Sequence, residues 1–418
     1  MNNFLKCKKI LGINGAGRIG KLTLWNHLSL QYFDGFVINV GRKAGRKMED
    51  MIDFLTKDST YGSIHTFLYG YTNKKCEINI VDASEGLLEI NGIQIKILMT
   101  SRNPRDINWA KEGVQLVIDC TGAFVDPTVP ADSPKGSVRG HIEAGAEKVI
   151  VSAPFKIKDD SQKMPQDSGM FVYGVNHNKY NPDEHHIISA ASCTTTGLAH
   201  MVKPLLETKE TSEIITASMS TVHAATNNQN ILDAIPGEGR SDLRRNRSVF
   251  NNIIPTTTGA AIALEEILPQ IKEIGFMADS VRVPTNTASL ITLNLTFNTK
   301  LDAETKTPVI NRNFLNEVYK SAARGAQKDM LVFSEKQNVS SDIVGYRAAI
   351  VIEGVETHTR TGFIPLRAET LREYGIEDAQ DINIPVTHAK IFGWYDNELG
   401  SYVNLLSKLA VYIHKSMS

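Results

Sequence analysis

The stretch Gly12-Ile13-Asn14-Gly15-Ala16-Gly17-Arg18-Ile19-Gly20 lies between two different periodicities. Before it stands a short apolar run, Lys9-Ile10-Leu11-Gly12-Ile13. After it Leu22, Trp25 and Leu28 recur at helical spacing. A GxGxxG between a strand and a helix, near the start of a chain, reads as a dinucleotide-binding turn. The first glycine permits the tight turn, the second lets backbone approach a pyrophosphate, and the third lets helix and strand pack. The helix N-terminus then favours the anion.

Working outward, Phe36-Val37-Ile38, Ile93 to Leu98, Val114 to Ile118 and Val149-Ile150-Val151 are further apolar runs separated by polar or helical stretches. The alternation predicts an α/β fold with a mostly parallel, doubly wound sheet and helices on both faces. Thr121-Gly122 and Ser152-Ala153-Pro154 close two of these strands, at the carboxyl ends where a dinucleotide lies. An acid about 20 residues beyond the glycines would bind the ribose 2′-OH of NAD. Val40 stands there instead, in Ile38-Asn39-Val40-Gly41-Arg42-Lys43, and Arg42, Lys43, Arg46 and Lys47 crowd the same loop. A 2′-phosphate is repelled by an acid and attracted by arginine, so the reading is NAD or NADP with a tilt to NADP.

At 418 residues, 42% of them hydrophobic, the chain is expected to form two domains. Its 45 basic and 46 acidic residues leave a net charge of −1, which gives no drive toward nucleic acid or an anionic membrane. No apolar run approaches the ~20 residues that span a bilayer. Met1 to Lys9 is short and polar, and no secretory signal is expected in it. Cys7, Cys76, Cys120 and Cys193 are scattered without a CxxC. Neither a zinc site nor a redox pair is indicated, and free thiols in a reducing cytoplasm are expected. The adjacent His185 and His186 have no companion ligands in sequence, so no metal is expected.

Ser189-Ala190-Ala191-Ser192-Cys193-Thr194-Thr195-Thr196-Gly197 opens a segment in which Leu198, Val202, Leu205 and Leu206 have helical spacing. Ser192 and the threonines suit a helix start. A thiol at a helix N-terminus meets the positive end of the dipole and free N–H groups, which favour the thiolate. Thirty residues later Thr221-Val222-His223-Ala224 supplies a histidine. Cysteine with histidine is an arrangement for covalent chemistry at a carbonyl carbon.

Taken in order, these blocks resemble the phosphorylating glyceraldehyde-3-phosphate dehydrogenase family. The opening Gly12 to Gly20 is similar to the family's, with Ala16 for its usual phenylalanine. Ala191-Ser192-Cys193-Thr194-Thr195 is similar to its nucleophile motif, with Thr196 for the usual asparagine. Thr221-Val222-His223-Ala224, Asp242-Leu243-Arg244-Arg245-Asn246-Arg247, Ile253 to Ala261, Val281-Arg282-Val283-Pro284-Thr285 and Trp394-Tyr395-Asp396-Asn397-Glu398 follow. Ser401-Tyr402 places its tyrosine one position later than the family's Gly-Tyr.

The resemblance implies oxidation of glyceraldehyde 3-phosphate to an acyl phosphate, with Cys193 as nucleophile and His223 as base. It implies phosphate-binding roles for Ser192, Thr194, Thr226, Arg245, Thr258, Gly259 and Arg282. Arg282 and Thr226 belong to the substrate phosphate; Arg245, Thr258 and Thr194 lean to the attacking inorganic phosphate or are shared. For the cofactor it implies Asn14, Gly15, Gly17, Arg18, Ile19, Gly20, Arg42, Arg102, Thr121, Ser152 and Asn397. Asn397 would hold the nicotinamide carboxamide, and Arg102 would lie near the adenine side. The implied domains are a Rossmann-type dinucleotide-binding domain, 1–192 with 397–418, and an α+β catalytic domain, 193–396, holding a mixed sheet. A cytoplasmic homotetramer is implied as well. Erythrose-4-phosphate dehydrogenase, and a catalytically silent relative that serves as a binding or regulatory protein, remain alternatives. The extra length is expected in loops: Pro127 to Arg139 with three prolines, Lys156 to Gly169, Pro236 to Gly239, and a larger addition between Asp342 and Pro385.

Overall fold

The computed structural model describes residues 8–227, 229–239 and 242–417; Cys7 lies outside them. Two compact units emerge, one of residues up to 196 together with 396 onward, the other of 197–395.

In the first unit the leading apolar run becomes β1 (Ile10–Asn14), buried at every position, as a strand covered on both faces requires. The glycine turn leads into α1 (Arg18–Leu30) and then β2 (Gly35–Asn39), which pairs in parallel with β1 from Ile10↔Gly35 to Asn14↔Asn39. After α2 (Met48–Thr56), the short hairpin β3 (Lys57–Asp58) and β4 (Gly62–Ser63), and α3 (Ile64–Tyr69), the chain adds β5 (Ile78–Asp82), β6 (Leu87–Ile90) and β7 (Ile93–Leu98). Then follow β8 (Leu116–Asp119), α4 (Gly140–Glu143), β9 (Lys148–Val151), β10 (Ser168–Met170) and β11 (Ile187–Ser189). The sheet order is β10-β11-β9-β8-β1-β2-β7-β6-β5. Pairings from β10 to β7 are parallel, and β7-β6-β5 is an antiparallel edge. Side chains alternate between two cores. Leu11, Ile13, Phe36 and Ile38 pack with Leu22 and Trp25 of α1, while Ile10, Val37 and Val117 pack with Trp109 and Val138 on the opposite face. The doubly wound reading is therefore observed. The run from Val114 begins pairing only at Leu116, because Val114 N–H is committed to Trp109 O at 3.1 Å.

One buried residue of α1 is at odds with its surroundings. His27 is fully buried, its ring 5.2 Å from that of Phe33, and neither ring nitrogen has a hydrogen-bond partner among the described residues. Burial lowers its pKa to about 3. The unfolded chain takes up this proton near pH 6.5 and the folded one does not. Stability is therefore full above pH 6.5 and falls as pH drops toward 3, by on the order of 1 kcal/mol per pH unit. His27→Leu is expected to raise stability by about 1–2 kcal/mol at pH 7, by removing an unsatisfied buried polar group. It should also flatten the loss between pH 6.5 and 5. Urea unfolding at both pH values checks this; an unchanged slope would contradict it.

The second unit begins within α5 (Cys193–Glu207), which contains Pro204. A proline removes the N–H that would serve the carbonyl four residues back, here His200. Gln327 Nε2 donates to that carbonyl instead, at 3.0 Å. Next come β12 (Ile214–Ala224), β13 (Ile254–Thr257), α6 (Ala260–Ile267), β14 (Gly275–Val283), β15 (Ser289–Asn298), α7 (Arg312–Arg324), β16 (Leu331–Ser334) and α8 (Ser340–Ile343). β17 (Ile350–Glu353), β18 (His358–Leu366), α9 (Ala368–Glu373) and β19 (Ile382–Tyr395) complete the unit. The order is β13-β14-β12-β15-β19-β17-β16, with β18 also on β19. Two pairs, β12–β14 and β16–β17, are parallel and the rest antiparallel, so the sheet is mixed.

The larger addition departs from the expected loop. It builds β17, all of β18 and the start of β19, with His358↔Lys390 to Leu366↔Ile382 in register. Pairing with a long neighbouring strand outweighs the punctuation by Gly362 and Pro365, both tolerated on an edge strand.

The chain then returns to the first unit through a π-helical turn, Leu399–Val403, and α10 (Asn404–Ser416). Leu406 and Leu409 of α10 join the core that buries α1. Among the described residues no helix is long and apolar enough to cross a membrane.

Candidate active site

The glycine turn is shaped by backbone contact. Gly15 has φ +94°, and a Cβ on Gly20 would lie 1.9 Å from Gly15 O. Gly17 caps α1 with no side-chain bond, no acid stands in the first turn, and a Cβ on Gly17 would meet nothing within 4 Å. Gly17 thus leaves room beside the start of α1, and the first turn carries no acid of its own, which fits a pyrophosphate. Asn14, Gly15, Gly17, Ile19 and Gly20 all belong to this turn or the first turn of α1.

Beneath it runs a buried polar chain. Asn39 Nδ2 donates to Asn14 Oδ1 and Asn14 Nδ2 to Asp119 Oδ2, each at 2.8 Å. Trp109 Nε1 donates to His141 Nδ1 at 2.9 Å, so the proton of a neutral His141 ring sits on Nε2 and is donated to Asp119 Oδ2 at 3.0 Å. Thr121 donates to Asp119 Oδ1 from N (2.9 Å) and Oγ1 (2.6 Å), and Ser152 N to Asp119 O at 2.9 Å. Burial alone would raise the Asp119 pKa, but the bonds from His141, Thr121 and Asn14 hold it below the usual carboxylate range. Asp119 therefore fixes three cofactor candidates, Asn14, Thr121 and Ser152, at the carboxyl ends of β1, β8 and β9. Nothing in the sequence around Asp119 or His141 marks them for this.

Arg18 is engaged by protein. Its Nη2 lies 2.5 Å from Glu398 Oε2 and 3.4 Å from Asp58 Oδ1, and donates to Thr60 Oγ1 at 3.1 Å. Tyr61 OH donates to Asp396 Oδ1 at 2.6 Å and accepts from Leu399 N at 3.4 Å. The segment Asp58–Tyr61 thus ties the start of α1 to Asp396-Asn397-Glu398 and braces the buried Asn397 from both sides. Burial pushes the Glu398 pKa up to about 7; Arg18 opposes that shift, and Asp396 and Asp58 add to it.

Val40 packs against the α1-side core with its N–H on Leu98 O at 2.8 Å, and Asn39 Oδ1 accepts from Gly41 N at 3.2 Å. Arg42 and Arg102 are exposed, in the loops that follow β2 and β7.

Cys193 is the first residue of α5. Ser192 acts as the cap expected of it, Oγ accepting from Thr195 N at 3.1 Å. The preceding Ala191 is buried with φ +56°, a left-handed conformation costing an alanine on the order of 1–2 kcal/mol. Tyr402 OH donates to Ala191 O at 3.0 Å, and Ala191 N donates to Ser189 Oγ at 3.0 Å, holding that turn. The tyrosine that falls one position late in sequence is accommodated by the π turn, whose Val403 N reaches back to Glu398 O at 2.8 Å. Thr194 Oγ1 lies 4.0 Å from Cys193 Sγ.

In the second unit the parallel register of β12 and β14 sets His223 opposite Arg282. Arg282 Nη1 contacts His223 Nδ1 and donates to Ala224 O at 3.1 Å; His223 Nδ1 lies 2.8 Å from the same carbonyl. Nδ1 thus faces a permanent donor and an acceptor, and can serve one at a time. With Arg282 in place, Nδ1 accepts and the ring proton sits on Nε2. With Arg282 drawn off by an anion, Nδ1–H donates to Ala224 O and Nε2 is left as a base. Burial, then the Arg282 charge, lower the His223 pKa to about 3, so the ring is neutral. Thr226 is held by Gln229 Oε1, donating from N at 2.8 Å and Oγ1 at 2.9 Å. Thr258 and Gly259 stand at the start of α6, Thr258 Oγ1 accepting from Ala260 N at 3.2 Å. Arg245 is half exposed and lies 3.5 Å from Asp242.

Comparison with known proteins agrees with this assembly. Residues 9–127 match the family described as glyceraldehyde 3-phosphate dehydrogenase, NAD binding domain, and residues 192–366 its C-terminal domain. A glyceraldehyde-3-phosphate dehydrogenase of Streptomyces coelicolor is 35% identical over 405 residues, covering 96% of this chain and 98% of the relative. One from Geobacillus stearothermophilus is 34% identical, covering 96% and 97%. A cytosolic one from Chlamydomonas reinhardtii is 31% identical, covering 97% and 96%. With a nicotinamide-dinucleotide turn, a cysteine heading a helix and a buried histidine paired in register with an arginine, this chain belongs to the glyceraldehyde-3-phosphate dehydrogenase family of oxidoreductases.

Proposed function

We propose that the protein oxidises glyceraldehyde 3-phosphate to 1,3-bisphosphoglycerate in the cytoplasm, using inorganic phosphate and a nicotinamide dinucleotide. The observation that carries this is the pairing of His223 with Arg282: a neutral base beside a cation suited to a phosphorylated substrate. The dinucleotide-binding domain is taken as 1–192 with 397–418 and the catalytic domain as 193–396.

Cys193 Sγ attacks the aldehyde carbon, His223 passing the thiol proton to the aldehyde oxygen, and forms a thiohemiacetal. His223 Nε2 takes the hydroxyl proton as hydride departs, leaving a thioester on Cys193. A nicotinamide, when bound, would supply the hydride acceptor. Inorganic phosphate then attacks the thioester carbon, the acyl phosphate leaves, and the thiolate returns. Arg282 and Thr226 hold the substrate phosphate. Arg245, Thr194, Thr258 and Gly259 serve the attacking phosphate, and Ser192 fixes the helix start. Asn397 holds the carboxamide, braced by Tyr61 and Glu398. Turnover on glyceraldehyde 3-phosphate and erythrose 4-phosphate, measured side by side, tests the substrate. A clear preference for the four-carbon sugar would overturn it.

NADP is the favoured cofactor, since Val40 brings no acid to the end of β2 and Arg42 and Arg102 are exposed nearby in the loops after β2 and β7. Val40→Asp is expected to shift the ratio of kcat/KM for NADP over NAD by about tenfold toward NAD. An unchanged ratio would contradict this assignment. A homotetramer is supported by large apolar side chains left in water: Leu232, Ile235, Ile253 and Met277 are 75%, 93%, 74% and 72% exposed. Light scattering of the purified protein checks the mass.

A further inference from the structure

Tyr395, the last residue of β19, is fully buried and takes no part in the chemistry above. It stands opposite Ser289 of β15, and β15 in turn pairs with β12, so a whole strand separates it from His223. Its ring reaches across that strand. The hydroxyl is hydrogen-bonded to Thr221 Oγ1 at 2.9 Å, and the ring meets His223 edge to face, with centroids 6.1 Å apart and planes at 78°. Thr221 and His223 lie at alternate positions of β12, so both point to the same face, and both are buried. Rings in this arrangement attract each other and prefer one orientation.

The end of β12 is held from a second side. Its ladder with β15 runs to Val222↔Leu290 and stops there. Ala224 N donates to Ser289 Oγ instead, at 3.0 Å. That bond anchors Ala224, whose carbonyl oxygen accepts from Arg282 Nη1 at 3.1 Å and lies 2.8 Å from His223 Nδ1. Ser289 and Tyr395 are register partners. One rung of the sheet thus carries the hold on Ala224 and the hold on the imidazole. The Ala224 carbonyl fixes the Nδ1 edge of the ring, and Tyr395 fixes its tilt about that edge. Arg282 of β14 and Tyr395 of β19 are the charged and the titratable group that face His223 from neighbouring strands.

We propose that Tyr395 is a positioning residue for the base: tethered through its hydroxyl to Thr221, its ring holds the His223 imidazole at one tilt and keeps water off it, so that Nε2 stays aimed when Arg282 is drawn to an anion. The inference rests on the reading of His223 as the base. Removing the ring opens the imidazole to water. The burial that lowers the His223 pKa to about 3 is then lost, and the pKa returns toward the ordinary histidine range.

The phosphate-free burst of the full-length protein tests it, on Tyr395→Phe, Thr221→Val, their double variant and Tyr395→Leu. Tyr395→Phe and Thr221→Val break the hydroxyl pair and keep the ring. Each is expected to slow the saturated burst about fivefold, and the double variant to be no slower than either alone. Tyr395→Leu is expected to slow it about a hundredfold, with half-saturation by substrate shifted by no more than about twofold. Its rate constant at limiting substrate should also fall with decreasing pH between about pH 8 and pH 5, a limb the wild type lacks. A folded Tyr395→Leu that keeps the wild-type burst, or is slowed without gaining the limb, overturns the positioning role. If that variant does not fold, the hydroxyl pair decides: losses that add in the double variant, or no loss at all, overturn it. A wild-type burst in His223→Asn overturns the reading of His223 as the base, whatever the Tyr395 variants do.

Discussion

Cys193→Ser is expected to lower aldehyde-dependent reduction of the cofactor by roughly ten-thousand-fold, with stability essentially unchanged. Serine keeps the size and the cap geometry of the α5 start. Its hydroxyl, however, is hardly ionised at neutral pH, whereas a thiol at a helix N-terminus is readily so. The remaining machinery stays in place: Ser192 still caps Thr195, and Tyr402 still holds Ala191 O. Cofactor affinity should therefore survive when turnover is lost. Calorimetry with the cofactor beside a turnover assay separates the two. Residual turnover within tenfold of wild type would remove Cys193 from the covalent step.

His223→Asn is expected to cost about a thousandfold in kcat, the scale of a general base, and less in KM. The pH dependence is more discriminating. Burial and Arg282 hold the ring neutral far below the usual histidine range. The folded pKa is lowered, so the base is available above it and lost only as pH falls through it. In the phosphate-free burst, with no anion added besides the substrate, the rate constant at limiting substrate should show no histidine limb between pH 8 and 5. An anion that pairs with Arg282 relieves the repulsion and raises the His223 pKa, so adding sulfate should move the limb upward. An anion-free limb near pH 6.5 that His223→Asn abolishes would contradict this.

The glycine turn and the nucleophile turn were legible because both are local. Each is a handful of consecutive residues whose capping and helix start follow from residue type, although the positive φ of Ala191 does not and is held by Tyr402 and Ser189. The absence of an acid at Val40 was legible for the same reason. What joins His223 to Arg282 was not, since it depends on the parallel register of two strands brought together by a long crossover. Asp119 and His141 lay equally out of sight: an aspartate ending a strand has no special pattern until four polar groups converge on it. Arg18 could be placed in the phosphate turn from sequence, but its capture by Glu398 depends on the return of the chain through Asp396, and that by Asp58 on the β3–β4 hairpin. The addition at 343–385 is expected in a loop only because it is extra length, and nothing local in it marks a strand. The strand it forms is dictated by the partner edge that β19 offers.

The most direct test of the central claim is the absorbance of reduced nicotinamide when the purified protein receives glyceraldehyde 3-phosphate, with and without inorganic phosphate, in parallel on NAD and NADP. The expected result is steady turnover that requires phosphate and is faster with NADP. Without phosphate, only a burst stoichiometric with Cys193 should appear, as the thioester accumulates. Steady turnover independent of phosphate, or none with either cofactor, would contradict a phosphorylating dehydrogenase.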